Sequence, residues 1–168
     1  EAMGLALPRN GTLPAVDGRR AELAHRSGRR IVELIQQDVR PEQILTPAAF
    51  RNGIRAVAAL GGSTNAVVHL LAIAGRVGVD LSLDDWTEVG NGVPTIVDLM
   101  PSGRFLMEDF DAAGGMAAVV DVLRDHFELE SITVDGRSLG AIADAAERFA
   151  VVPPGGPEGS GEQVIRDP

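Results

Sequence analysis

The 168-residue chain contains no cysteine, no lysine and no tyrosine, and aromatic residues make up only 4% of it. Each absence removes a chemistry. Without cysteine the chain supplies no disulfide, thiolate nucleophile, zinc-thiolate site or iron–sulfur ligand. Without lysine it supplies no Schiff base, no carbamylated side chain and no phosphate-loop ammonium. All 15 basic residues are arginines, set against 24 acids for a formal charge of −9. A phosphate backbone needs a clustered basic surface with stacking partners, so nucleic acid is excluded as a partner. No apolar run approaches the roughly 20 residues of a membrane-spanning helix, which excludes a membrane as well. Glu1-Ala2-Met3-Gly4 lacks the basic start and apolar core of a signal peptide, and the chain reads as cut from something longer. What remains is 45% hydrophobic and 23% charged, the balance of a globular domain that can bury a core.

Periodicity and punctuation predict mostly helix. Glu1–Leu7 reads as the end of a helix, and Pro8–Pro14 as a loop in which Asn10-Gly11 supplies left-handed backbone. Apolar residues at helical spacing predict a helix from Gly18 to Asp38, stopped by Pro41. Thr46-Pro47 predicts a cap and first turn for a helix to Leu60, broken by Gly61-Gly62. Ser63 or Thr64 then caps the apolar helix Ala66–Val77, with Gly78 as its stop. A short helix over 80–89 follows, capped by Ser82 and anchored by Trp86. Thr95–Met100 and Ser131–Val134 read as strands, with a helix from about Asp111 to His126 between them. Ser138 caps a last helix to about Phe149, and Val151–Gly161 is a proline- and glycine-rich linker or loop. The predicted fold class is α/β, helix-rich, with two or three short strands.

Two stretches suit a small anion. Gly61-Gly62-Ser63-Thr64-Asn65 places small residues and three polar side chains at a helix start, where free N–H groups and the dipole favour negative charge. The same residues also serve as a plain cap and helix–helix turn. Arg9-Asn10-Gly11-Thr12 sets an arginine and two polar side chains on a bend, able to hold an acid or merely to solvate the loop. Glu108, Asp109 and Asp111 cluster near a helix start, where acids complement the dipole; a metal there would need converging ligands from elsewhere. His25, His69 and His126 are scattered, and His69 reads as a core or interface residue. Ser63 lacks a nucleophile-elbow setting, and Gly114-Gly115 follows no strand as a dinucleotide fingerprint would. No self-contained catalytic set is present in the pattern.

Three longer stretches carry a resemblance: EAMGLALPRNGTLPAVDGRR (1–20), ILTPAAFRNGIRAVAALGGSTNAVVHLLAIA (44–74) and VPTIVDLMPSGRFLMEDFDAAGG (93–115). They resemble the dihydroxy-acid dehydratase and phosphogluconate dehydratase family, which includes sugar-acid dehydratases acting on aldonates. The resemblance implies an internal fragment of an α/β/α N-terminal domain, with 1–150 its later part and 151–168 leading toward the C-terminal domain. It implies a cytoplasmic hydro-lyase that converts 2,3-dihydroxy acids or aldonic acids to 2-keto acids. In that family an iron–sulfur cluster acts on the 3-hydroxyl, Mg2+ binds the carboxylate end, and a serine of the C-terminal domain removes the C2 proton. The residues that hold these groups fall outside the matching stretches, so no catalytic or metal-binding residue is carried over and the chain alone is expected to be inactive. Asn10, Thr12, Ser63, Thr64 and Asn65 are the candidate substrate-lining residues. The expected partners are a hydroxy-acid substrate, the rest of the polypeptide and a second copy, since the family forms homo-oligomers. A different reading is an independent acidic binding module that holds a small anion at Gly61–Asn65.

Overall fold

Local sequence sets most of the helix ends. A computed structural model of the chain describes residues 1–146 and 163–168. Helix α1 (Gly18–Gln36) starts where the Asp17 carboxylate accepts from the Arg19 N–H at 2.8 Å. Pro41, expected as a stop, instead opens the single turn α2 (Pro41–Ile44), because a first-turn residue needs no N–H. The Thr46 hydroxyl accepts from the Ala49 N–H and starts α3 (Pro47–Leu60), which ends on Gly61 at φ +61°. Only glycine enters that left-handed region freely, which explains the stop. Helix α4 (Asn65–Val77) ends the same way on Gly78, and α5 (Leu83–Gly90) is capped by Ser82 paired with Asp85. The long helix expected over 111–126 is three pieces: α6 (Met107–Ala112), α7 (Gly115–Val122) and a 3-10 turn over Arg124–His126. Gly114 and Gly115 both have positive φ, which separates α6 from α7. The last element, α8 (Leu139–Ala143), starts on the Ser138 hydroxyl and is shorter than expected. The region around Phe149 and the proline- and glycine-rich stretch over 151–161 lie outside the described residues.

Two expectations fail. Glu1–Leu7 is not helical but a series of turns: the Gly4 N–H donates to the Glu1 carbonyl, and the Gly4 carbonyl accepts from Val134 N at 2.7 Å. A left-handed Gly4, at φ +83°, ends any helix there. The short strands are also absent as ladders among the described residues, so the fold is helix-rich without the α/β character expected. Single bridges join Val97 to Ile165, Leu99 to Phe105 and Ile132 to Ser138. The reason lies in where the backbone donors go. Ile96 N reaches the Ala59 carbonyl, Asp98 N the Val164 carbonyl and Met100 N the Phe105 carbonyl, so three different segments share one extended stretch. A ladder needs one partner in continuous register.

The main core gathers Ala56 and Ala59 of α3, Phe110 of α6, the α7 residues Val119 and Val120, and Phe105, Ile96 and Val164 from extended segments. A second cluster sets Phe50 of α3 against Leu45 and Ala74, with Leu70 and Met3 packed on it. Both clusters use α3, which is therefore buried along most of its length. Between them Asn52 is fully buried and fully used. Its amide donates to the Glu128 carbonyl (3.1 Å) and Ser131 Oγ (3.2 Å), and its oxygen accepts from Glu128 N (2.8 Å). Arg51 and Arg55 pair with the Glu128 carboxylate above it. A third, small cluster of Leu7, Leu13 and Leu23 fixes the loop over 8–14 against α1. That contact positions the site described next.

Candidate functional site

The loop over 8–14 folds around the Glu1 carboxylate, which accepts from Gly11 N at 2.8 Å and Arg9 N at 3.0 Å. The left-handed residue is Arg9, at φ +72°, rather than Asn10 or Gly11. This orientation sends the Arg9 guanidinium onto Asp111 of α6: Nε donates to Oδ1 at 3.0 Å, and Nη2 to Oδ2. Buried Thr12 donates its hydroxyl to the same Oδ1 at 2.6 Å. Arg19 of α1 adds a third group, with Nη2 at 3.6 Å from Asp111 Oδ2 while its other contacts go to Asp17. Burial alone would raise the Asp111 pKa, but the hydrogen bonds from Arg9 and Thr12 outweigh it and hold the carboxyl below its ordinary value. Asp17 is held down to about 2, chiefly by its hydrogen bond from the Arg19 side chain.

Arg9, Asp17, Arg19 and Asp111 wall one side of a cavity of about 670 Å³. Arg137, from the turn after Val134, joins Arg9 and Arg19 there, and Pro8, Ala112, Ala117 and Ile142 form its apolar part. The acidic cluster of the sequence is divided by function. Asp109 accepts from Leu106 N at 2.8 Å and caps α6, Asp111 is buried on Arg9, and Glu108 lines the cavity. Asp111 stands about 100 residues from the loop it completes and Arg137 about 125, so short-range pattern could not single them out.

Of the predicted lining residues, Thr12 is buried behind the cavity wall, fixed on Asp111, and Asn10 is exposed; neither lines the cavity. Ser63, Thr64 and Asn65 are exposed and do not line this cavity, so the two candidate stretches are not brought together. Ser63 Oγ accepts from Asn65 N at 3.2 Å, while Thr64 makes no capping bond. Their turn lies against another family stretch: a Cβ added at Gly61 would meet Thr95 Cγ2 at 3.3 Å and Ser102 Oγ at 3.7 Å. His69, read as a core or interface residue, is exposed on α4. Three of the thirteen α4 residues are polar, and its apolar positions spread around the axis, leaving Val68 and Ile73 in solvent.

The iron–sulfur cluster and Mg2+ implied by the resemblance need thiolates and converging carboxylates. The chain has no cysteine, and among the described residues no three histidine, aspartate or glutamate side chains converge. The cavity carboxylates of Asp17 and Asp111 already accept from arginines. These residues do not fit either group. Among the described residues no helix is long and apolar enough to cross a membrane.

Residues 1–142 match the family model described as dihydroxy-acid/6-phosphogluconate dehydratase N-terminal. The chain belongs to this family. An L-arabonate dehydratase of Azospirillum brasilense is 58% identical over 142 residues, which is 83% of this chain and 24% of that protein. An L-arabinonate dehydratase of Rhizobium leguminosarum bv. trifolii (strain WSM2304) is 54% identical over 141 residues, again 83% of this chain and 24% of the relative. A dihydroxy-acid dehydratase of Dehalococcoides mccartyi (strain ATCC BAA-2266 / KCTC 15142 / 195) is 43% identical over 148 residues, covering 88% of this chain and 27% of that protein. The chain thus spans about a quarter of the length of these dehydratases.

Proposed function

We propose that this chain is the later part of the N-terminal domain of a cytoplasmic, homo-oligomeric hydro-lyase. The enzyme dehydrates 2,3-dihydroxy acids or aldonic acids to 2-keto acids, with an iron–sulfur cluster and Mg2+ held by segments outside this chain. The observation that carries this reading is the unbroken family match over 142 residues. The higher identity to dehydratases named for arabinonate than to those named for dihydroxy acids supports an aldonate substrate. In this reading the 168 residues alone are inactive. They supply a packed helical body, and the Gly61–Asn65 turn with Ser102 beside it is its candidate face toward the substrate. The binding-module alternative gains nothing from the geometry, because the Ser63 hydroxyl is turned onto its own backbone.

The test is 2-keto acid formation by the complete gene product and by the 168-residue chain, with reconstituted cluster and Mg2+. Branched dihydroxy acids and aldonates are offered in parallel. Activity confined to the complete product supports the proposal and names the substrate class. Turnover by the 168 residues, or none by either protein on any of these acids, overturns it.

A further inference from the structure

We propose that the arginine-lined cavity beside the Arg9 loop binds a small oxyanion, the carboxylate or phosphate group of an organic acid. The dehydratase reading does not require this site, and the inference does not rest on that reading. Three guanidinium groups reach the cavity wall from three separate segments: Arg9 from the first loop, Arg19 from α1 and Arg137 from the turn before α8. Each is anchored to an acid by part of its fork. Arg9 uses Nε and Nη2 on Asp111, Arg19 uses Nε and Nη2 on Asp17, and Arg137 uses Nε on Asp135. Nη1 of Arg9, Nη1 of Arg19 and both Nη groups of Arg137 make no hydrogen bond among the described residues. A guanidinium fixed along one edge still presents donors along another, in a fork that matches two oxygens of a carboxylate or phosphate.

Backbone geometry adds an independent observation. A non-glycine residue at φ +72° is strained, and such strain collects where a side chain must be delivered to a set position. Here it delivers Arg9 to the cavity wall, with the Glu1 carboxylate bonding both sides of the bend. Buried Asp111 fixes the guanidinium before any ligand arrives. The lining charges balance, with Arg9, Arg19 and Arg137 against Asp17, Glu108 and Asp111. Recognition therefore comes from directed donors rather than from a strong net field, and a small acid with an apolar or hydroxylated body suits the mixed wall. A volume of about 670 Å³ admits a whole small organic acid.

The experiment is calorimetric titration of the full-length protein with inorganic phosphate and, separately, gluconate, at low ionic strength and against a chloride control. Saturable binding of at least one is expected. Arg137→Gln weakens it about tenfold, the loss expected for one charge-assisted hydrogen-bonding group. Arg137→Lys falls between the two, because it keeps the charge and loses the fork. Both variants are half-exposed changes, and circular dichroism checks that they fold. Binding of phosphate alone assigns a phosphate source, and binding of gluconate alone a carboxylate source. No saturable binding, full competition by chloride, or binding unchanged in Arg137→Gln overturns the inference. Turnover plays no part in this readout, so an inactive protein that binds through Arg137 refutes the dehydratase reading and leaves this one standing.

Discussion

Replacing Arg9 with glycine sets two effects of similar size against each other. The left-handed backbone at φ +72° costs an L-residue about 1–2 kcal/mol, and glycine escapes it. Glycine's greater freedom in the unfolded chain returns about 0.5–1 kcal/mol of that gain, so the net relief is about 1 kcal/mol. Against it stands the Arg9–Asp111 pair. Breaking a fully buried pair costs about 3–5 kcal/mol. The Asp111 side chain is only 3% exposed, but Arg9 is 46% exposed and rehydrates, and Thr12 and Arg19 remain beside the carboxylate. The loss is then about 2 kcal/mol. The pair wins narrowly: Arg9→Gly destabilises by about 1 kcal/mol and Arg9→Ala, which keeps the strain, by about 2 kcal/mol. Urea unfolding of the chain reads these differences as shifts of the midpoint at constant slope, about 0.5 M per kcal/mol for an m near 2. A double-mutant cycle with Asp111→Asn should return a coupling of about 1–2 kcal/mol. An Arg9→Gly chain as stable as the parent would refute the value given to the pair. Equal stability of the glycine and alanine variants would refute the strain.

Asn52→Ala leaves the half-buried Glu128 N–H without its partner, while the Glu128 carbonyl keeps the Ser131 N–H, and should destabilise by about 1–3 kcal/mol in the same urea assay. A methyl group at Gly103 would lie 2.4 Å from the Asp98 carbonyl carbon and Leu99 N, so Gly103→Ala must shift backbone and should cost more than about 2 kcal/mol, seen as a lowered melting temperature. Stability should also fall in acid. Burial raises the Asp98 and Asp111 pKa values but the hydrogen bonds from Arg104, and from Arg9 and Thr12, outweigh it, while the Arg51 hydrogen bond leads in lowering that of Glu128. All three are lower folded than unfolded. Their contribution is complete above the unfolded values near pH 4 and disappears as pH drops through the folded ones, so thermal scans should be flat from about pH 5 to 7 and decline below about pH 4. A melting temperature that holds steady to pH 2.5 would contradict this.

Helix boundaries were legible because their causes are local. Thr46-Pro47, Gly61, Gly78 and Ser82 with Asp85 each act within four residues, and the sequence reads them directly. Failures occur where a distant partner decides. Thr95–Met100 has a strand's composition, yet its donors find Ala59, Val164 and Phe105, and no neighbouring pattern announces that division. Glu1–Leu7 has helical composition, but the left-handed Gly4 locks onto Val134. For the site, Arg9 and Thr12 were visible as polar residues on a bend. Asp111 looked like one more acid at a helix start, and only the fold reveals that it ties that bend together.

Val164 is fully buried in the main core, and its carbonyl holds Asp98 N, although it lies 22 residues past the end of the family match at 142. Arg166 reaches back to Asp98 as well. The packing therefore runs past the end of the family model's match. A protein trimmed to the residues matched by the family model would lose Val164 and Ile165 from the main core, leave Val97 without its bridge to Ile165, and strip a buried aspartate of one of its two arginines. Anyone choosing where to cut this polypeptide for expression should follow the packing past the last residue of the family model's match.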